Sequence, residues 1–176
     1  PEQTNADTVE RSNRIHQRLQ QTVDSLPGMA EQLGNRPAWL VAEVAGERVA
    51  ITHGDEQSLA GWQCDHAQLG SAERQQQLAD WFAEQHIRVL ACSHTGRPAA
   101  LSTGDWAVIN NGAAGMPNFS NGRYGLITRI AQTPSASAIY RAQVGSLIVE
   151  ALPVNYNQSA FVAEFKRQWP DDSPAA

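Results

Sequence analysis

Two short apolar runs, each closed by a histidine, constrain this chain more than any other feature. VAGERVAITHGD carries His53 at its end, and IRVLACSHTGRP carries His94. Between them, residues 72–86 place Leu78, Trp81 and Phe82 on one helical face behind Ser71, a suitable N-cap. Strand, helix and strand in that order predict an α/β sheet, in which functional side chains collect at the carboxyl ends of the strands. Two histidines at two such ends can converge on one metal ion.

The remaining elements follow from periodicity and punctuation. Residues 7–26 read as a helix, with Ile15, Leu19, Val23 and Leu26 as an apolar stripe and Asp7 with Glu10 as a capping box. Pro27-Gly28 ends it, and a short amphipathic piece with Met29 and Leu33 follows. Residues 38–44 and 47–52 read as strands joined by a tight turn at Ala45-Gly46, and 56–69 as partly helical. Further strands are expected at 87–92, 106–112, 124–132 and 139–152, the last interrupted near Gly145, with a final helix over 158–168. The late strands lack intervening helices. A mixed sheet with packed helices, plus a second sheet or the other half of a sandwich, is therefore expected. The 176 residues fit one domain, taken as 1–170, with a mobile tail at 171–176.

Charge and cysteine content exclude whole classes. The net charge of −5, with no basic cluster, argues against a nucleic-acid partner. No apolar run approaches the roughly 20 residues that span a bilayer, and no membrane partner is expected. The only cysteines, Cys64 and Cys92, form no CxxC, so a reducing, cytoplasmic setting is expected. Cys92 and His94 would share one strand face, but nothing near Cys92 would activate a thiol, and a buried inert cysteine is the better reading. A hydrolase built on Cys92 or Ser93 with histidine is the weakest alternative. His16, His66 and His86 lie in helical stretches without partner spacing and read as surface residues. The chain begins at Pro1 rather than at a methionine, which implies processing or a missing upstream segment.

Around the two histidines the residue types suit a site. Gly54 lets the backbone turn after His53, and Asp55 could orient the imidazole from behind. His94 lies between Ser93 and Thr95, with Gly96 and Pro98 following, a small-residue turn that brings backbone close to a bound ion or anion. In VINNGAAGMPNFSNGRYGLITRI, Asn110 and Asn111 precede a run of small residues, and asparagine can bind a metal or a phosphate oxygen. No GxxxxGK[ST] is present, so the run is not a P-loop.

These segments together resemble the calcineurin-like metallophosphoesterases. Thr4-Asn5-Ala6-Asp7 looks like a degenerate form of that family's Gly-Asn-His-Asp/Glu motif. Ile51-Thr52-His53-Gly54-Asp55 looks like its lone histidine after a strand, and Ser93-His94-Thr95-Gly96-Arg97-Pro98 like its Gly-His-x-His. INNGAAGMPNF is similar to a segment that follows the last motif in a bacterial subgroup. The resemblance runs from Asn5 to about residue 150 and implies part of an α-β-β-α sandwich. It implies Asn5, His53 and His94 as ligands of one of two divalent ions (manganese, iron or zinc), with Asp7 and Asp55 behind them. Thr95, Arg97, Asn110 and Asn111 would face a phosphorylated small-molecule substrate. Two such ions bridged by an aspartate would activate a water and clamp the phosphoryl oxygens.

The departures from the pattern are specific. Ala6 stands where the family has a histidine, Gly96 where it has its second ligand histidine, and the Asp-x-His and Gly-Asp-x-x-Asp motifs are absent. The expectation is therefore the C-terminal portion of a metallophosphoesterase, with a sheet edge left for a missing half or another subunit of a homo-oligomer to cover. The alternative is a non-catalytic binding or scaffold module on the same fold.

Overall fold

The computed structural model describes residues 5–114 and 123–175. Thr4, residues 115–122 of the glycine-rich run, and Ala176 lie outside the described residues. By contacts the chain divides into two compact units, residues 38–156 and residues 1–37 with 157–176.

The larger unit is a mixed α/β structure. β1 (Trp39–Val44), β2 (Glu47–Thr52), β3 (Val89–Cys92), β4 (Ala99–Ser102) and β5 (Ala107–Asn110) form a five-stranded sheet in the order β1-β2-β3-β5-β4. β6 (Tyr124–Ala131), β7 (Tyr140–Val144) and β8 (Leu147–Asn155) form a second sheet in the order β6-β8-β7. The helix between the two histidine runs, α4 (Ala72–Gln85), makes β2 and β3 parallel, with Ala50 opposite Leu90; α3 (His66–Leu69) precedes it. β3 and β5 are parallel too, so three strands end at one edge.

Strand alternation divides the core in two. Ala50, Leu90, Cys92 and Val108 face Leu78 and Phe82 of α4. Val49, Val89, Ala91 and Ile109 point the other way, onto Val144, Leu147 and Val149 of the second sheet. This gives three layers, helix, sheet and sheet, within one unit. On β8, Glu150 alternates with the core residues Val149 and Ala151, and its register places Arg129 and Arg141 opposite it on either side. Burial alone would push the Glu150 carboxyl up. The Ser135 amide and the Arg141 and Arg129 guanidiniums outweigh that and hold it at about 2.

Several expectations change in detail. The 139–152 run is two strands, because Gly145 (φ 56°) with Ser146 turns the chain into a hairpin. β4 escaped the sequence reading: AALS is short and alanine-rich, and pairing with β5 rather than propensity makes it a strand.

In the smaller unit, α1 (Ala6–Asp24), α2 (Met29–Gly34) and α5 (Gln158–Gln168) are the helices. The cap of α1 is Asn5, not the expected pairing of Asp7 with Glu10: Asn5 Oδ1 accepts from the Thr8 amide at 2.8 Å. Its expected stripe is shallow, with Leu19 half exposed and no residue of α1 buried. The Arg18 guanidinium stacks 4.2 Å from the Trp169 ring, and donates to the Gln168 carbonyl.

Candidate metal-binding site

Both histidines lie just past the carboxyl ends of their strands. The parallel ladder continues into them, since the Ser93 amide donates to the His53 carbonyl at 3.0 Å and the Asn111 amide to the Cys92 carbonyl at 3.1 Å. The result is a pair: His94 Nδ1 lies 3.1 Å from His53 Nε2, with the rings edge-on and their centroids 4.9 Å apart. Two imidazole nitrogens sharing a tetrahedral zinc would be about 3.3 Å apart, given bonds of about 2.0–2.1 Å. Without an ion, one nitrogen donates to the other.

His94 reaches this position through an uncommon backbone. Its φ is +68°, and the Thr95 amide donates to the Ser93 carbonyl at 2.9 Å across it. Such a three-residue turn with positive φ is the rare, strained γ-turn. One strand over, the same turn recurs at Gly112, with φ +72° and the Ala113 amide donating to the Asn111 carbonyl at 2.9 Å. Ser93 Oγ donates to the Gly112 carbonyl at 3.1 Å and ties the two turns together.

Asn110 organises the space behind them. Its Nδ2 donates to Thr95 Oγ1 (2.9 Å) and to the Cys64 carbonyl (3.0 Å), and its Oδ1 accepts from the Gly112 amide (2.9 Å). Thr95 Oγ1 in turn donates to the Arg97 carbonyl at 3.0 Å. Asn110 and Thr95 are buried, and their donors are used inside the loops rather than turned toward a substrate. Asn111 is half-buried and donates to the Leu126 carbonyl at 2.7 Å. Of the expected phosphate-facing residues, only Arg97 is exposed.

Asp55 and Asp7 are the residues expected behind the two histidines. Asp55 lies two positions beyond His53, but Gly54 turns the chain, and the Asp55 carboxylate accepts from the amides of Gln57 (3.0 Å), Ser58 (2.8 Å) and Gln63 (3.1 Å). It shapes its own loop. Asp7 is exposed in the first turn of α1, and Asn5 caps that helix in the other unit. Cys92 does not pair with His94. Its thiol is hydrogen-bonded with that of Cys64, and that hydrogen bond, then burial, pushes its pKa up, as an inert thiol requires.

Sequence reasoning missed Trp62. Its ring lies 5.3 Å from that of His94 at 70°, and it is 56 % exposed. The signal available was a large aromatic in an otherwise small and polar stretch, LAGWQCDH.

The histidine pair fits two positions of a metal's coordination shell. Among the described residues no group of three or more His, Cys, Asp or Glu side chains completes it. No chemical step through a metal follows from these residues alone.

No family model matches the sequence, and no curated protein sequence matches it. Solved structures show similarity at low identity. A conserved uncharacterized protein from Streptococcus pneumoniae TIGR4, described as a predicted phosphoesterase, is 18% identical over 68% of this chain and 63% of its own, with a TM-score of 0.40. Vps29 from Entamoeba histolytica, complexed with Zn2+, is 16% identical over 66% of this chain and 61% of its own, with a TM-score of 0.35. Vps29 from Chaetomium thermophilum is 12% identical over 70% and 62%, with a TM-score of 0.34. The chain thus spans less than two thirds of the length of each of these structures. At this degree of likeness neither activity nor partners pass from those proteins to this one.

Proposed function

We propose that this chain carries the histidine half of a divalent-metal centre that hydrolyses phosphate esters, on a fold of the calcineurin-like metallophosphoesterase type. The observation that carries the proposal is the 3.1 Å approach of His94 Nδ1 to His53 Nε2 at the carboxyl ends of adjacent parallel strands. Imidazole nitrogens suit zinc or iron, and manganese where oxygen ligands complete the shell. A bound ion would supply Lewis acidity toward a phosphoryl oxygen and an activated water. This chain's own part is to hold the ion through His53 and His94 and to offer the exposed Arg97 to the phosphoryl group of a small-molecule substrate. Asn5, the third ligand that the resemblance implies, has its amide oxygen engaged in capping α1. Further ligands, a carboxylate among them, would complete the shell; among the described residues no group of three or more His, Cys, Asp or Glu side chains does so. A reducing, cytoplasmic setting belongs to this reading and leaves Cys64 and Cys92 as free thiols.

A second reading is a non-catalytic binding module on the same scaffold. The observation favouring it is that Asp55, the carboxylate nearest His53 in sequence, has both oxygens occupied by loop amides.

Calorimetric titration with Mn2+ and Zn2+, followed by assay on p-nitrophenyl phosphate and its diester, separates the two. The hydrolase reading expects an ion bound by the wild type and lost in His53→Ala and His94→Ala, with turnover that needs the metal. Binding without turnover favours the module. Equal binding by wild type and both variants removes the histidine centre.

A further inference from the structure

The loop from Gly54 to Asp65 is held far more firmly than a surface connection requires. The Asp55 amide donates to the Ser58 carbonyl at 2.9 Å, and the Asp55 carboxylate collects three further amides of the loop. Glu56 forms a bidentate pair with Arg74 of α4 at 2.7 and 2.6 Å, with both side chains nearly fully buried. The Arg74 Nε also donates to the Gln63 carbonyl at 3.0 Å. At Gly61 a Cβ would come within 1.8 Å of the Asp55 carboxylate, so only glycine fits.

These contacts pin Gly61 and Gln63, the two neighbours of Trp62. The Trp62 carbonyl itself accepts from the Asp65 amide at 3.0 Å. Yet the Trp62 side chain contributes little to the core, being 56 % exposed. A fixed backbone that presents an open indole beside one member of the histidine pair is a preorganised apolar platform. An indole face takes a flat ring in offset or edge-on packing better than a puckered ring of equal size.

We infer that Trp62 is a specificity-determining residue, which selects phosphate esters whose alcohol part is a flat aromatic ring. The ring would lie on the indole while the phosphate points toward the histidines. The inference rests on the function proposed above for its phosphate, but the ring preference is measured separately.

The test titrates phenyl phosphate and cyclohexyl phosphate into the full chain by calorimetry, with Mn2+ and again with a chelator. Wild type, Trp62→Leu and Trp62→Phe are compared. The wild type is expected to prefer the phenyl ester by about tenfold. Trp62→Leu should lose that preference while keeping its affinity for the cyclohexyl ester, and Trp62→Phe should retain most of it. Equal affinities in the wild type, no binding of either ester, or a uniform loss in Trp62→Leu would each overturn the assignment. Titration with Mn2+ alone reports on the histidine centre and is expected to be the same in wild type and Trp62→Leu. A wild type that binds no Mn2+ yet keeps its ring preference would remove the metal centre and leave the platform standing.

Discussion

The turns after β3 and β5 have the same backbone and different residues at the crux. Each is a γ-turn of positive φ, closed by an amide-to-carbonyl bond of 2.9 Å, at the end of one of two neighbouring parallel strands. One places Gly112 at its centre, the other His94. Glycine takes this conformation without strain, whereas an L side chain there costs about 1–2 kcal/mol. At Gly112 the choice is forced from outside as well: a Cβ would come within 2.7 Å of the Pro98 nitrogen and 2.8 Å of the Arg97 carbonyl carbon. At His94 the strain is accepted, and it directs the imidazole to His53. Backbone strain of this kind clusters at functional sites.

The comparison can be broken most directly at Gly112. Gly112→Ala should destabilise the chain by about 2–4 kcal/mol, from backbone strain and collision with the Arg97–Pro98 peptide. Urea denaturation reads it, and a loss below about 0.5 kcal/mol would show that the two turns are not equivalent in rigidity. A smaller effect of opposite sign is expected at the partner position. His94→Gly should be more stable by about 1 kcal/mol and should lose Mn2+ binding, so stability and ion affinity move in opposite directions. A variant that is both less stable and metal-free would mean that His94 holds the fold together.

The acid limb sharpens the comparison by locating what does not depend on the turns. Glu150 is held at about 2 against an ordinary 4.5, so its contribution to stability is fully present above about pH 4.5 and fades as pH falls through about 2. The difference in melting temperature between wild type and Glu150→Gln should be constant from neutral pH down to about 4.5 and shrink below it. Background substitution of Gly112→Ala should leave that profile in place. A difference that persists to the lowest pH would assign Glu150 a packing role instead.

What the sequence could show followed from periodicity and punctuation. β2 and β3 were legible because apolar runs bounded by a helix leave little choice, and the histidines were legible because they close those runs. The roles of their neighbours were not. Asp55 and Asn110 carry the same polar groups whether they serve a ligand or a loop, and only the fold shows that backbone amides had already taken them. Positive φ at His94 leaves no mark in the residue type, since Ser-His-Thr fits ordinary turns equally well. Trp62 is not legible because the contacts that fix its neighbour Gln63 come from Asp55, eight positions back, and from Arg74, eleven positions on and in another element.

The hold that Asn110 keeps on the Gly112 amide also bears on how the protein ages. Asn-Gly is the dipeptide most prone to spontaneous deamidation, in which the glycine nitrogen attacks the preceding asparagine side chain to close a succinimide. Here that nitrogen donates to Asn110 Oδ1, and the Asn111 side-chain amide is tethered to the Leu126 carbonyl. Ring closure therefore has to wait for the loop to open. Conversion of Asn111 to aspartate or isoaspartate during storage becomes a clock for local opening of this corner, readable by peptide mass analysis in protein that remains otherwise folded.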